Sequence, residues 1–317
     1  MTISASAKTS KTKTYFSDLR KNIWKHKEKY ILILPGVIWF IIFSYIPMYG
    51  LTLAFRQFRA NLGIFWSPWI GLQNFENVFR DPAFLQSIWL TLWINLGRLI
   101  FVFPVAIILA LLFNELRMGR FKKILQSIFT FPFFLSWVVV GSIMIDVLGR
   151  GGLVNSVLGL LGFDSISFLG TPALFQPMVY LTSIWQGSGW GAIIYLAAIA
   201  GIDTEQYEAA EIDGASRLQR LWHITLPGIK GTVLVLFILA VGNLMTGGFE
   251  QIFNLSNPAT LRASEILDMY IWRVTFMAPA DFGFSSAISL FRSLINFTLL
   301  IIAHHVSKRI SGSGLLA

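Results

Sequence analysis

Six long apolar runs, separated by polar segments, constrain the fold of this 317-residue chain more than any other feature. A helix needs about 20 mainly apolar residues to cross the hydrocarbon core of a bilayer. Backbone polar groups in lipid must be satisfied within the segment, which favours helices. The chain is therefore predicted to be an all-α polytopic membrane protein. Its six predicted transmembrane helices are Tyr30–Leu53, Leu85–Phe113, Ile124–Leu148, Leu174–Ala200, Ile229–Thr246 and Ser285–Val306.

The composition supports a membrane location and excludes several kinds of chemistry. Hydrophobic residues make up 55% of the chain and charged residues only 13%, whereas soluble proteins average about 25% charged residues. Cysteine is absent, which excludes a disulfide framework, a thiolate nucleophile and a cysteine metal site. The formal charge of +9 is expected to report membrane topology rather than nucleic acid binding.

Lysine and arginine are unevenly distributed among the loops, and this bias predicts the orientation. Of the 25 basic residues, 17 lie in the segments 1–29, 114–123, 201–228 and 307–317, counting Lys230 with the third segment. The three remaining loops hold 6. Because positive loops stay inside, both termini are expected in the cytoplasm, in a multi-pass protein of the cell inner (plasma) membrane.

The chain is expected to contain one membrane domain with short tails. We assign residues 1–29 to a basic cytoplasmic N-terminal tail, residues 30–310 to the six-helix domain and residues 311–317 to a cytoplasmic C-terminal tail. The N-terminal region does not resemble a cleavable signal peptide. Its basic part is too long, and the apolar run that follows has the length of a span and no small-residue cleavage site.

One polar loop, residues 203–227, is predicted to form two short helices around a glycine. Asp203 and Gln206 have a spacing like that of a capping box, and Ser216 with Gln219 fits the pattern more closely. The first helix would run from Thr204 to Asp213 and the second from Arg217 to Ile224. Gly214 would adopt the left-handed conformation between them. Pro227 would end the second helix or start the next span.

This loop resembles the coupling loop of binding-protein-dependent ABC import permeases. The resemblance lies in Glu208-Ala209-Ala210, then Gly214, then nine residues, then Ile224-Thr225-Leu226-Pro227. In that family the loop docks into a groove on a separate ATPase subunit. The resemblance therefore implies a role in ATPase coupling for one set of residues: Glu208, Ala209, Ala210, Asp213, Gly214, Ile224, Leu226 and Pro227.

Two further stretches are similar to permeases that import oligosaccharides and polysaccharide fragments. The first is Gly71–Phe75 with Asp81–Phe84 and Thr91, and the second is Pro132–Val140 with Gly152–Asn155. The resemblance implies an oligosaccharide substrate, a second homologous permease subunit in a heterodimer, two ATP-binding subunits and an extracytoplasmic solute-binding protein.

The sequence contains no catalytic or nucleotide-binding motif. No stretch matches the phosphate-binding Gly-x4-Gly-Lys-Ser/Thr loop, so ATP and Mg are expected on the partner ATPase subunits, with no cofactor on this chain. Gly187–Gly191 is glycine-rich but is expected to allow close helix packing. His304 and His305 are neighbours on a helix and face different directions, so no metal site is expected. The chain is thus predicted to be a transport subunit and not an enzyme.

Charges inside spans are costly and suggest either structural or functional roles. Arg98 and Arg292 are equally compatible with snorkelling or ion pairing, as in a pair between Arg98 and Asp146, and with a polar translocation path. Two path-facing arginines would suit an acidic oligosaccharide such as a uronate. Further candidates for substrate contacts are Trp185, Gln186, Trp190, Asn243, Glu250 and Asn254.

The main alternative is a secondary transporter of a polar solute driven by an ion gradient. Such transporters usually carry carboxylates at the membrane midplane or broken helices in repeated halves. No internal repeat is visible here, and the only carboxylate inside a predicted span, Asp146, is peripheral. A membrane-embedded enzyme is a third class, but no catalytic constellation supports it.

Overall fold

The computed structural model describes residues 24–116, 119–277 and 280–311. Most of the predicted N-terminal tail, residues 312–317 of the predicted C-terminal tail, and two short gaps lie outside the described residues. Within the described part, the chain is helical throughout and contains no strand, only one isolated bridge between Arg56 and Trp69. This confirms the all-helical class.

Sixteen α-helical segments follow one another along the described chain. They are α1 (Lys27–Phe40), α2 (Gly63–Trp66), α3 (Gln73–Arg80), α4 (Pro82–Gly97), α5 (Phe103–Glu115), α6 (Arg120–Thr130), α7 (Trp137–Leu148), α8 (Leu153–Leu160), α9 (Pro172–Ala200), α10 (Thr204–Ile212), α11 (Arg217–Arg220), α12 (Leu226–Gly242), α13 (Phe249–Leu255), α14 (Leu261–Ser264), α15 (Leu267–Phe276) and α16 (Phe282–Ser311).

Five helical stretches of the described chain, one of them interrupted by a turn at residues 149–152 between α7 and α8, are long and apolar enough to cross a membrane. They are Lys27–Phe55, Pro82–Glu115, Trp137–Leu160, Arg217–Gly242 and Phe282–Arg309. Helix α9, the predicted fourth span, has 29 residues and is long enough. Its Gln186, its glycines and its serines make it less apolar than those five. The chain is thus a multi-pass membrane protein with at least five helices of spanning character.

Three π-turns interrupt the long helices, and a proline lies shortly after each of them. They are Ile41–Tyr45, Arg98–Val102 and Leu221–Thr225, and Pro47, Pro104 and Pro227 each follow two residues later. Proline lacks an N–H donor, and its ring clashes with the carbonyl four residues earlier. A π-turn widens the helix locally, so each of the three helices continues through its proline without a break.

The predicted third span is the one that the structure corrects most. A single helix was expected over Ile124–Leu148, but α6 ends at Thr130, and a 3-10 turn follows over Phe131–Phe134. Leu135 and Ser136 are then extended, before α7 begins. Pro132 in this segment cannot donate a helical hydrogen bond, and Ser136 caps α7 by accepting from the Val139 N–H.

The core is divided into three clusters along the bundle, centred on Phe84 and Tyr270, on Phe175 and Ile252, and on Tyr195 and Ile229. Helix α9 packs closely on α5 and on the end of α6. A Cβ atom at Gly189 would overlap the backbone of Phe129. The predicted packing role of the glycine-rich stretch 187–191 is therefore confirmed at Gly189.

Helices also fill the segments that were predicted as outer loops. Helix α15 is tied to the start of α4, because the Tyr270 hydroxyl donates to the Asp81 carboxylate. Burial, together with this hydrogen bond, raises the pKa of the Tyr270 phenol well above its usual value. The phenol consequently stays protonated and keeps its donor role across the physiological pH range.

Candidate functional site

The polar loop 203–227 folds as a helix-turn-helix with caps at both helix starts. The Asp203 carboxylate accepts from the Glu205 N–H at 3.0 Å and begins α10. Gln206 does not complete the reciprocal half of a capping box there. At α11, Ser216 and Gln219 form the full capping box, with the Gln219 Oε1 atom accepting from the Ser216 N–H at 2.8 Å.

The turn between the two helices depends on Gly214. Its φ is +77°, a left-handed conformation that side chains with a Cβ disfavour. The Ala215 N–H donates to the Ala210 carbonyl at 2.8 Å, and the Gly214 N–H donates to the Glu211 carbonyl at 3.1 Å. This is the Schellman arrangement that ends many helices. The predicted left-handed turn at Gly214 is confirmed, with α10 ending at Ile212 rather than Asp213.

Two contacts hold the helices of the loop together. Arg220 forms an ion pair of 2.9 Å with Glu211, and the hydroxyls of Tyr207 and Thr225 lie 3.0 Å apart. The surface of the loop is nevertheless partly apolar. Ile212, Leu218 and Trp222 are 87%, 65% and 61% exposed. A polar loop that exposes three large apolar side chains is typical of a surface that binds another protein.

The second helix of the loop is continuous with the following span, contrary to the predicted end at Ile224. Residues 217–242 form one helix that contains the π-turn Leu221–Thr225. Pro227 does not end the helix but occupies the first turn of α12. Any displacement of the loop is thus applied directly to the base of a span.

The predicted coupling residues divide into an accessible group and an anchored group. Glu208, Ala209, Asp213 and Gly214 are exposed on the first helix and the turn, together with Pro227. Ala210, Ile224 and Leu226 are half-buried. The structure therefore brings the signature residues together in one protruding element.

Arg98 does not pair with Asp146, which is exposed in α7. Its Nη1 atom donates to the Asn95 Oδ1 atom at 3.0 Å and to the Gly247 carbonyl at 3.2 Å. Its Nη2 atom donates to the Gln251 Oε1 atom at 2.6 Å. The predicted Arg98–Asp146 pair is therefore wrong, and Arg98 connects the second predicted span to the segment between α12 and α13.

Gln251 is central to this network, and the sequence analysis did not single it out. It is 2% exposed, and its Nε2 atom donates to the Val179 carbonyl at 2.8 Å and to the Thr182 hydroxyl at 2.7 Å. Ser183 donates to its Oε1 atom at 3.0 Å. A polar residue beside the apolar positions Ile252 and Leu255 on a short helix was the available signal.

Arg292 forms an ion pair with Asp268 of α15. Asp268 also accepts from the Gly247 N–H at 3.3 Å, so this pair and the Arg98 network hold the same turn. The structure thus gives both arginines structural partners. Of the two interpretations that the sequence left open, the contacts favour the structural one.

The other candidate path residues lie in three places. Asn243 lies with Arg98 and Asn95 on a cavity of about 330 Å³, whereas Glu250 and Asn254 lie together on α13, where the Asn254 amide donates to the Glu250 carbonyl. The remaining group lies on α9, where Gln186 and Trp190 contact the break between α6 and α7. Trp185, also on α9, is 41% exposed. Trp190 stacks on Phe133 with 4.8 Å between ring centroids, and Gln186 donates to the Phe133 carbonyl at 3.3 Å.

These features define a class of protein, namely a multi-pass helical membrane protein with a protruding helix-turn-helix that continues into a span. Residues 102–312 match the family described as binding-protein-dependent transport system inner membrane component. The chain belongs to this family of transport permeases, as the loop predicted.

Relatives of known function are similar over nearly the whole chain. The polygalacturonan/rhamnogalacturonan transport system permease protein YteP of Bacillus subtilis is 39% identical, over 92% of this chain and 91% of its own length. The arabinooligosaccharides transport system permease protein AraP of the same organism is 27% identical, over 92% and 91%.

A solved structure shows the same fold. It is a crystal structure of a bacterial ABC transporter involved in the import of the acidic polysaccharide alginate. The matching chain is 35% identical, with a TM-score of 0.85, and the match covers 93% of this chain and 99% of that one.

Proposed function

We propose that this chain is the permease subunit of an ATP-driven ABC importer, with six spans and both termini in the cytoplasm. Helix α9, the predicted fourth span, completes the six in this proposal, because its length and central packing support a membrane crossing. The predicted division into an N-terminal tail, the 30–310 permease domain and a C-terminal tail belongs to the same proposal. The basic residues that predict this orientation place the 203–227 loop on the cytoplasmic side.

The single observation that supports the coupling role is the structure of this loop. It protrudes, exposes Ile212, Leu218 and Trp222, and continues into the span that ends at Gly242. An ATPase that binds the loop differently in its two states would move the base of that span, which is the requirement for coupling. ATP and Mg belong to the ATPase subunits in this proposal, and the chain itself is not an enzyme.

The proposed substrate is an oligosaccharide that carries acidic sugars. The relatives support this choice, because YteP is named for polygalacturonan and rhamnogalacturonan and the solved neighbour imports alginate. A second crystal structure of that importer contains an alginate pentasaccharide-bound periplasmic protein. We therefore infer an extracytoplasmic binding protein as a partner, together with a second homologous permease subunit and two ATPase subunits.

Reconstitution of the complete importer in proteoliposomes tests this function. Uptake of an alginate or galacturonate oligosaccharide is expected only when ATP and the binding protein are both supplied. Maltopentaose of the same length serves as the neutral control. Uptake that persists without the ATPase subunits would instead support the ion-driven secondary transporter.

A further inference from the structure

Two adjoining cavities lie between α6 and the C-terminal half of α9. Their volumes are about 830 and 650 Å³, and they share Lys123, Gln126 and Leu196 in their walls. The smaller cavity extends to the start of α10, where Tyr207 and Glu208 line it. The pair forms a groove that leads from the broken third span toward the coupling loop.

Helix α6 presents a polar face to the larger cavity. Lys123, Gln126, Ser127 and Thr130 all line it, and their spacing of three and four residues places them on one side of a helix. The stripe extends over about 10 Å, at 1.5 Å per residue. The opposite face is apolar and exposed, with Phe121, Ile124 and Ile128 at 65%, 56% and 60%.

This polarity is inverted relative to a helix of a soluble protein, whose apolar face packs on the core and whose polar face meets water. The apolar face of α6 suits lipid, whereas acyl chains would leave the amide and hydroxyl groups of the polar face without partners. The polar face must therefore be covered by water, by a polar ligand or by another protein.

Thr130 ends the polar stripe and is buried. It is 9% exposed, and its hydroxyl oxygen is almost inaccessible to solvent and has no hydrogen-bond partner among the described residues. A buried polar group without a partner is destabilising, and a helical threonine usually donates to the carbonyl four residues earlier. The part of the stripe that water or a ligand can reach is therefore Lys123, Gln126 and Ser127.

The broken third span ends at the same cavity. Phe131 and Phe134 line it, and Phe133, Phe134 and Ser136 are exposed around the extended residues. Irregular backbone at membrane depth is tolerated only inside protein or beside a water-filled cavity. This independent feature places water, or a partner, on the same face as the polar stripe.

We propose that the polar face of α6 lines the cytoplasmic half of the translocation path and binds the acidic oligosaccharide as it leaves. This inference rests on the proposed function. Lys123 pairs with a sugar carboxylate, whereas Gln126 and Ser127 bind sugar hydroxyls. Phe131 and Phe134 supply apolar surface for the ring faces. Lys122 and Glu208 both line the smaller cavity, nearer to the coupling loop. The two lysines therefore outnumber the one carboxylate along the groove.

Cysteine substitution tests the location of the path, since the natural chain contains no cysteine. The variants Gln126→Cys and Ser127→Cys are compared with Ile124→Cys and Ile128→Cys in the complete complex. A membrane-impermeant anionic methanethiosulfonate is applied from the cytoplasmic side without nucleotide. We expect labelling of the polar face to be more than about tenfold faster, because a thiol in lipid does not ionise.

Alginate pentasaccharide is then added as the acidic probe and maltopentaose as the neutral one. The acidic probe is expected to protect both polar-face positions, and the neutral probe is expected to protect them less. No labelling of the polar face would show that a partner subunit or lipid covers it, and equal labelling of both helix faces would show that the polar face is not a distinct aqueous path. Either result would overturn the proposal. Labelling without protection by the acidic probe would remove the binding role.

The charge of Lys123 is tested separately by transport. Lys123→Gln is expected to slow uptake of alginate pentasaccharide by about tenfold while sparing the ATPase complex, and Lys123→Arg is expected to restore it. Lys230→Gln is the matched control, since Lys230 is exposed and lines neither cavity. Equal effects of the Lys123 and Lys230 variants would overturn the assignment. If the wild-type importer failed to transport acidic sugars, the proposed function would fail, while the labelling pattern would still report the groove.

Discussion

Arg98 and Arg292 carry charges inside the helical bundle, and each is held there by polar partners. Arg98 is held by two side-chain oxygens and a carbonyl, and Arg292 by Asp268. The sequence identified both arginines because charges in apolar runs are rare. It could not identify their partners, since Gln251 lies 153 positions from Arg98 and Asp268 lies 24 from Arg292. Only the packing of distant helices decides such pairs.

The first prediction concerns Gln251. The variant Gln251→Leu removes one of the acceptors of Arg98 and leaves a buried guanidinium short of a partner. We expect a loss of stability of about 1–3 kcal/mol, measured as a lower melting temperature of the detergent-purified complex. Glu250→Gln is the neighbouring control, because Glu250 is exposed and should melt as the wild type does. An unchanged melting temperature for Gln251→Leu would contradict the structural role of the network.

The second prediction separates a structural Arg292 from one that contacts substrate. If the Arg292–Asp268 pair is structural, Arg292→Gln and Asp268→Asn should reduce uptake of acidic and neutral oligosaccharides alike. The double variant should be little worse than either single variant, because the pair acts as a unit. Selective loss of acidic uptake in Arg292→Gln, with Asp268→Asn unaffected, would return Arg292 to the translocation path.

At the scale of elements, apolar periods and caps were readable, but interruptions were not. The Ser216–Gln219 capping box and the Gly214 turn depend on local chemistry, so the sequence identified both correctly. The break at Leu135 and the continuity of α11 with α12 depend on how prolines are accommodated. Pro132 lies in a 3-10 turn that leads into an extended segment, whereas Pro227 follows a π-turn in an unbroken helix. The same residue type gives both outcomes.

The third prediction concerns the packing of α9 on α6. Gly189→Ala would force the end of α6 away from α9, because the added methyl group meets the Phe129 backbone. Overpacking of this kind typically costs about 1–3 kcal/mol, and we expect less folded protein in the membrane fraction. Gly187→Ala is the matched control two residues earlier, where the methyl group meets nothing within 4 Å. Equal expression and melting of the two variants would show that this contact does not hold the helices.

At the scale of the whole molecule, the sequence predicted the class and the family but not the outer architecture. The long apolar runs identified the membrane helices, since their length alone is informative. Helices α3, α8, α13 and α15 pack in segments that were predicted as loops, because their polar and apolar residues are too few to show a period. The groove proposed as the path is not lined by the residues that the sequence predicted, for a related reason. The buried charges proved to have partners, and the groove lies beside an interruption that the sequence does not mark.

In the proposed importer, the 203–227 loop joins this permease to a separate ATPase. The most direct test of this role is co-purification of the ATPase subunits with a C-terminally tagged chain, comparing wild type with Gly214→Val. Valine strains the left-handed turn without meeting any neighbouring atom, so insertion and binding of the second permease should persist while the ATPase is lost. Gly231→Val on exposed α12 backbone is the control and should retain the ATPase. Undiminished ATPase recovery with Gly214→Val, or a wild-type chain that transports without any ATPase, would contradict the account.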